Sequence, residues 1–560
     1  MNLTFFTPKI VTVLREGYSK AKLRADLIAG LTVAVVALPL AMALAIASGA
    51  SPDKGLVTAI IAGGLISLLG GSRVQIGGPT GAFVVVVFNV IAHHGYDGLV
   101  LATLLAGVIL LVAGYAKFGQ VIKFIPHPVV TGFTAGIAVI IASSQVKDFF
   151  GLSLAKVPAD FIPKWEAYLT NIGTTSLPTL AVGLGSLLAI IALRRFAPKA
   201  PGYLIVVAIA AAAVAVFHLP VETIGERFPV LPSGLPMPSL PVWSLQKIQE
   251  VLPSAFTIAF LAGIEALLSA VVADGMTGFK HRPNQELVAQ GFANIASAFF
   301  GGLPATGAIA RTATNIKAGG QTPFAGLFHA AFLLLFVLFA TSIMAYVPMT
   351  ALAAILFIVA WGMSEVGHFI HIFKMSPSDR NVLLLTFFLT VLVDLTVAIG
   401  VGVTLASLLF IRQMSKYVEI ESQGRRKTDQ FSDHADSDDE DTSQRAKLPK
   451  GVEVFRIAGP VFFGVAGDLL DTLKSIGQMP KVLILRMRLV PYLDATGATV
   501  IEHMVKTCAT RGTKIIFSGL RPQPIKILDH GHVHAGKDGV IFAATYEEAV
   551  KTAHEIVGEG

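Results

Sequence analysis

Long runs without charge dominate the chain, each bounded by a short polar cluster. Residues 27–47 carry no charged side chain, and about 21 such residues in a helix cross a ~30 Å hydrocarbon core. Comparable runs begin near Gly98, Val129, Leu177, Tyr203, Ser254, Phe324, Thr350, Val382 and Thr396, with shorter ones at 55–69 and 287–300. Two more apolar regions are interrupted at their centres. Leu68-Leu69-Gly70-Gly71 leads to Pro79-Thr80-Gly81-Ala82, and Phe299-Phe300-Gly301-Gly302 leads to Pro304-Ala305-Thr306-Gly307-Ala308. Counting these two, the pattern predicts roughly 14 membrane segments. Matched interruptions in two halves of a membrane protein point to a transport site, because two short helices can aim their N-terminal amides at a substrate near the bilayer midplane.

After Arg412 the pattern changes. Residues 421–450 are polar and include an acidic run at Asp436, Asp438, Asp439, Glu440 and Asp441, the composition of a disordered tether. It lacks the spaced ligands and turn glycine of a calcium loop. From Gly451 short apolar strands are expected at 452–457, 482–485, 514–517 and 540–542, alternating with helices at 469–476, 496–510, 525–530 and 546–557. Such alternation can bury an independent α/β core. The expected divisions are an N-terminal segment 1–25, a membrane domain 26–415, an acidic linker 416–450 and a small α/β domain 451–560.

Composition agrees with the pattern: 54% of residues are hydrophobic and only 14% charged, which excludes an ordinary water-soluble domain for most of the chain. The net charge of +7 is distributed by topology. Lys117 and Lys123, then Arg194, Arg195 and Lys199, then Lys280 and Arg282, then Lys374 and Arg380 fall in alternate loops, on the side of the basic N-terminus. Cytoplasmic loops collect Lys and Arg, so both termini are expected in the cytoplasm, and the charge makes no case for nucleic acid. Lys9, Arg15, Lys20, Lys22 and Arg24 precede a first span too long for a cleavable signal, which is expected to be retained. The single cysteine, Cys508, excludes an intrachain disulfide. No Cys/His dyad, metal-ligand spacing or Walker loop occurs, and adjacent His93 and His94 point apart on a helix. The chain is therefore read as no enzyme, without cofactor or metal, drawing its energy from an ion gradient.

Three motifs occur in order: Asp26-Leu27-Ile28-Ala29-Gly30-Leu31-Thr32 with Pro39 and Met42-Ala43, then Ile125-Pro126-His127-Pro128-Val129-Val130-Thr131-Gly132-Phe133-Thr134, then Asn284-Gln285-Glu286-Leu287-Val288-Ala289-Gln290-Gly291. Together they resemble the sulfate permease (SulP) family, which includes the pendrin- and prestin-type anion transporters. Leu493-Asp494-Ala495-Thr496-Gly497, ahead of a helix, resembles the STAS domain that follows in this family. The resemblance implies a 7+7 inverted repeat of 14 segments, a core domain moving against a gate domain in an elevator-like alternating-access cycle, and a homodimer in the bacterial inner membrane.

Thr80, Gly81, Ala82 and Phe83, with Thr306, Gly307, Ala308, Ile309 and Ala310, would begin two half-helices meeting head to head. Unpaired amides at such starts suit an anion that sheds water without a permanent hold, although small residues there also permit close packing. Arg311 lies one turn past Gly307, and a guanidinium within a membrane segment is a functional candidate by default. Its alternatives are an ion pair or an interfacial position. Glu265 and Ser269 sit amid an apolar span. Burial disfavours a carboxylate there and a nearby Arg311 would favour it, so Glu265 can carry a proton with the substrate or simply pair with Arg311. The resemblance implies that an acid matching Glu265 and a hydroxyl matching Ser269 hold the coupling ion. Asp274 is read as a boundary residue. Thr496 matches the hydroxyl phosphorylated in soluble STAS relatives, where phosphate would meet helix-start amides and switch a cytoplasmic partner.

For substrate, Leu40 and Leu44 stand where many sulfate-type members have Gln and Tyr. With the 270–278 run and Ala308-Ile309-Ala310-Arg311, they resemble the bacterial aerobic C4-dicarboxylate transporters of the family. The expectation is proton-coupled uptake of succinate or fumarate, with sulfate or bicarbonate as alternatives. A passive anion channel or a membrane-anchored STAS regulator is the reading from a different class.

Overall fold

The computed structural model describes all residues except 1–5, 121–125, 155–156, 159, 199, 230–233, 340, 394, 423–447, 468, 470–478 and 559–560. Lys123, Ile125, Lys199, the acidic run at 436–441 and the expected helix beyond Leu469 lie outside the described residues. The chain divides into two compact units, Met1–Ala406 and Ser407–Gly560.

The first unit is helical. In chain order its principal helices are α1 (Lys20–Ala47), α2 (Pro52–Leu69), α3 (Phe83–Tyr115), α4 (His127–Ser144), α5 (Leu177–Phe196), α6 (Gly202–Phe217), α7 (Leu245–Thr277), α8 (Pro283–Phe299), α9 (Ile309–Lys317), α10 (Phe324–Phe339), α11 (Met349–Met363) and α12 (Pro377–Leu392), and α13 (Leu395–Lys416) runs across the boundary between the units. Gly95, at φ 71°, breaks α3 into two segments, so the helices supply the fourteen expected. Eight of the described helices are long and apolar enough to cross a bilayer unaided. A helix suits that setting because it satisfies its own backbone groups where no water can.

The packing repeats between halves. The helix α3 packs on α7 and α8, and its counterpart α10 packs on α1 and α2; likewise α4 packs on α12, and α5 on α11. Each pairing is its partner's image when α1–α6 are exchanged for α7–α13, as an internal repeat requires. Two bundles result, one containing α1–α3 with α7–α10, the other α4–α6 with α11 and α12. Small residues permit the closest approach in the first. A Cβ added to Gly107 of α3 would lie 2.8 Å from the Gly291 carbonyl of α8, and one added to Gly291 would lie 2.8 Å from the Gly107 carbonyl.

The two interruptions meet in the first bundle. Strand β1 (Gly77–Gly78) pairs antiparallel with β2 (Thr306–Gly307), Gly77 opposite Gly307 and Gly78 opposite Thr306.

The second unit contains one sheet in the order β3 (Glu419–Ser422), β4 (Val452–Ala458), β5 (Val482–Leu489), β6 (Lys514–Ser518) and β7 (Val540–Ala543). All neighbours run parallel except β3, which is antiparallel to β4. Leu483, Leu485 and Met487 join a core that includes Ile501, Met504 and Cys508 of α14 (Ala495–Thr510), while Val482 and Ile484 face Ala549 and Ala553 of α16 (Tyr546–Gly558). The helix α15 (Pro522–His530) adds Leu528 to the first core. Burial on both faces is what parallel strands with helical crossovers demand. Strand β3 corrects one expectation: the sheet begins inside the stretch read as linker.

Candidate functional site

Helix α7 presents one face to the crossing of β1 and β2. Positions 262, 265, 266 and 269 follow the three- and four-residue spacing of a single helical stripe. Each makes one bond to the interrupted segments. Thr306 Oγ1 donates to the Ala262 carbonyl at 2.7 Å, Thr80 Oγ1 to Glu265 Oε2 at 2.9 Å, and Gln75 Nε2 to the Ala266 carbonyl at 2.9 Å. The Ser269 hydroxyl lies 3.2 Å from Thr312 Oγ1, which in turn accepts the Ile76 amide at 3.1 Å.

The two threonines that match in sequence are not equivalent in space. Thr306 belongs to the ladder, opposite Gly78. Thr80 already belongs to a helical turn, because Phe83 N–H donates to the Thr80 carbonyl at 3.2 Å and Val84 N–H to Gly81 at 3.1 Å. The reason is length: residues 72–78 stand between the Gly-Gly pair and the proline in the first interruption, and one residue, Leu303, in the second. Those extra residues bring Gln75, which the sequence reading did not single out.

Both half-helices begin without a capping side chain, at Ala82 for α3 and Ala308 for α9. Ala308 N–H is bonded to the Ile76 carbonyl at 2.9 Å, but the amides of the first turn within α9 have no partner inside the helix. Arg311 is buried, 3% exposed. Its Nη2 donates to the Pro79 carbonyl at 2.9 Å, and Nη1 stands 3.5 Å from that of Gly77. A Cβ on Gly78 would lie 2.1 Å from Arg311 Nη1, and Gly78 has φ +149°, so glycine alone fits there. The expected alternative of an Arg311–Glu265 ion pair is not formed: Arg311 bonds backbone carbonyls, Glu265 a hydroxyl, and Arg311 Nε has no partner among the described residues. Glu265 is half-buried, with Ala310 and Ile309 exposed nearby in sequence to Arg311 and the remaining predicted residues, Gly81, Ala82, Phe83, Gly307 and Ser269, buried. The arrangement thus places a guanidinium and a carboxyl group that do not pair with each other at one crossing.

Buried polar side chains hold the crossing in place. Glu286 of α8 accepts the amides of Gly71 at 2.7 Å and Ser72 at 3.1 Å, and Gln290 Nε2 at 2.9 Å. Asn294, two turns on, bonds both backbone groups of Ala305, at 2.9 and 2.8 Å. Asp26 of α1 accepts the amides of Gln321 at 2.8 Å and Thr322 at 3.1 Å, together with the Thr322 hydroxyl. Asp274 accepts the His281 amide at 2.9 Å and its ring Nδ1 at 2.7 Å, at the turn between α7 and α8. In the second unit Asp494 caps α14, accepting Gly497 N–H at 2.7 Å, and Thr496 is exposed in the first turn. The cap is therefore the aspartate, and the threonine hydroxyl is free of that duty.

The sulfate permease family profile matches residues 23–386, and the STAS domain profile residues 444–549. The chain belongs to the sulfate permease family. Among its relatives, YvdB of Bacillus subtilis (strain 168), whose name assigns it provisionally to sulfate transport, is 40% identical over 92% of this chain and 94% of its own. The bicarbonate transporter BicA of Picosynechococcus sp. is 31% identical over 90% of each chain. The solved transmembrane domain of a cyanobacterial BicA superposes with a TM-score of 0.62 at 29% identity, covering 70% of this chain and 98% of that one. SLC26A9 shares the fold over the full length, with a TM-score of 0.84 at 18% identity and 94% of that chain covered. The chain is accordingly a multi-pass membrane protein with a STAS domain, and an anion transporter.

Proposed function

We propose that the chain is a secondary active transporter carrying a small oxyanion, sulfate or bicarbonate, with a proton or cation on Glu265. The observation that carries the reading is the convergence on one crossing of two uncapped helix starts, Arg311, and the Glu265 carboxyl, which bonds the Thr80 hydroxyl and makes no ion pair with Arg311. Helix starts and guanidinium together form a positive locus for an anion. The carboxylate repels that anion until a proton or cation neutralises it, which couples the two loads without a bond between them. The names of YvdB and BicA support the substrate class. The bundle of α1–α3 with α7–α10 would carry the site against the bundle of α4–α6 with α11 and α12, in an elevator-like cycle. Both termini are assigned to the cytoplasm of a bacterial inner membrane from the basic loops, and a homodimer from the family resemblance. Thr496, exposed on α14, is the proposed regulatory hydroxyl for a STAS-binding protein.

A C4-dicarboxylate remains the second reading, favoured by Leu40 and Leu44 in the first span. Arg311 is the one guanidinium bonded at the crossing among the described residues, and a second carboxylate has no cation there to meet. Uptake into proteoliposomes with an imposed proton or sodium gradient decides between them. Gradient-driven accumulation of labelled sulfate or bicarbonate, unaffected by excess succinate, is the expected result. Accumulation of succinate blocked by fumarate would establish the dicarboxylate, and downhill flux of any anion with no accumulation would make the chain a channel.

A further inference from the structure

A cavity of about 190 Å³ lies between the two bundles at the C-terminal end of α1, remote from the N-terminus. Ile46 of α1 with Phe88 and Asn89 of α3 form one wall; Ser144 of α4, Lys164 and Arg227 form the other. Phe88 is five residues past Phe83, so it stands about 7.5 Å along the axis from the start of the same half-helix that reaches the crossing.

The charged groups of the cavity are unequally matched. Arg227 bonds both oxygens of Asp148, at 3.1 and 2.7 Å, and also Glu222 at 2.9 Å. Lys147 lines the cavity beside Asp148. Lys164, on the short helix Phe161–Thr170, is 4% exposed. Its ammonium lies 5.6 Å from the centroid of the Phe88 ring, and no carboxylate forms an ion pair with it among the described residues. The ammonium faces the cavity, where Asp160, at the start of the same helix, acts on it electrostatically without forming an ion pair; burial of the stem still disfavours the charge, and the aromatic face compensates only in part. A cavity of this size holds several waters or one small oxyanion.

We propose that this cavity is a second anion site, an antechamber in which Lys164 receives a small oxyanion of the sulfate or bicarbonate class before it reaches the crossing. The assignment rests on the transport reading above and adds to it the route. With both termini in the cytoplasm, the antechamber opens to the outside. An arriving anion exchanges the cation–π contact between Lys164 and Phe88 for an ion pair, and so releases one bundle's α3 from the other bundle's wall.

Initial rates of labelled sulfate and bicarbonate uptake, measured into intact cells and into inverted vesicles, test the two faces separately for Lys164→Met and Lys164→Arg. The methionine variant keeps the stem's packing and is expected to raise the half-saturating concentration in cells about tenfold, the size of one charge-assisted hydrogen bond. The half-saturating concentration in inverted vesicles should stay that of the parent, and the arginine variant should resemble the parent from both faces. An unchanged half-saturation in cells, an equal shift from both faces, or an arginine variant as impaired as the methionine one would overturn the antechamber. Binding can also be read without transport. Trp165 adjoins Lys164 and bonds Ser143 at 3.1 Å, so with Trp243→Phe and Trp361→Phe its emission reports this site alone. Saturable quenching by sulfate, lost in Lys164→Met, supports the proposal even if no flux is found; emission unchanged by sulfate in the parent sinks it while leaving the transport reading to the uptake data.

Discussion

Arg311 and Glu265 bond to adjacent residues, Pro79 and Thr80, and not to each other. Their separation makes their expected roles separable by experiment. Glu265→Gln keeps an acceptor for the Thr80 hydroxyl and removes the titrating charge, so gradient-driven accumulation should vanish while substrate exchange at equal concentrations continues. Accumulation that persists at the parent level would remove Glu265 from coupling. Arg311→Ala deletes a buried cation and its bond to the Pro79 carbonyl; anion affinity should fall about 10- to 100-fold, in line with a charged hydrogen bond of ~1.5–3 kcal/mol. A binding titration beside a thermal melt checks that affinity falls further than stability, and an unaltered affinity would mean the guanidinium serves structure alone. The sequence made both residues visible because charges in apolar spans are rare. Gln75 and Thr312 escaped notice because neutral polar side chains near glycines are unremarked in such spans. Lys164 escaped because it stands in a short helix between spans, where a lysine ordinarily faces water.

Helix α8 shows what a motif can name without explaining. Asn284-Gln285-Glu286 marked the family, yet only the fold reveals Glu286 as the acceptor of two loop amides and Asn294 as the clamp on Ala305. Glu286→Gln replaces one acceptor oxygen by an amino group beside donors already in place. The expected loss is about 1–3 kcal/mol of stability, the penalty for unsatisfied buried groups, read as a lower melting temperature in detergent; an unchanged melt would show that the loop holds itself. Element spans were legible from hydrophobic runs, and the parallel strands of the second unit from their apolar cores. Strand β3 was not, because Glu419-Ile420-Glu421-Ser422 is short and polar and owes its conformation to pairing with β4. The offset between Thr80 and Thr306 was hidden as well, since matched letters carry no information about how much chain each interruption spends before its helix begins.

At the scale of the molecule, each unit has its own core, and the second contains the chain's sole cysteine. Cys508 is 1% exposed, and burial pushes its thiol above the usual range. It should resist maleimide at neutral pH in the native protein and react as the STAS domain opens, so labelling against urea measures that domain's stability inside the full chain; rapid labelling without denaturant would contradict the packing. The first unit has a different exposure, in time. Gly77 meets Gly307 and the Arg311 guanidinium, 234 residues further along. At a synthesis rate of roughly 5–20 residues per second, the first half-helix enters the bilayer roughly 10–50 s before its partner exists. Until then the backbone of 75–79 has polar groups that lipid cannot satisfy. A nascent chain of this kind needs shelter at the insertion machinery for that interval, and a ribosome stalled between the two interruptions would leave a product with half a site and no means of closing it.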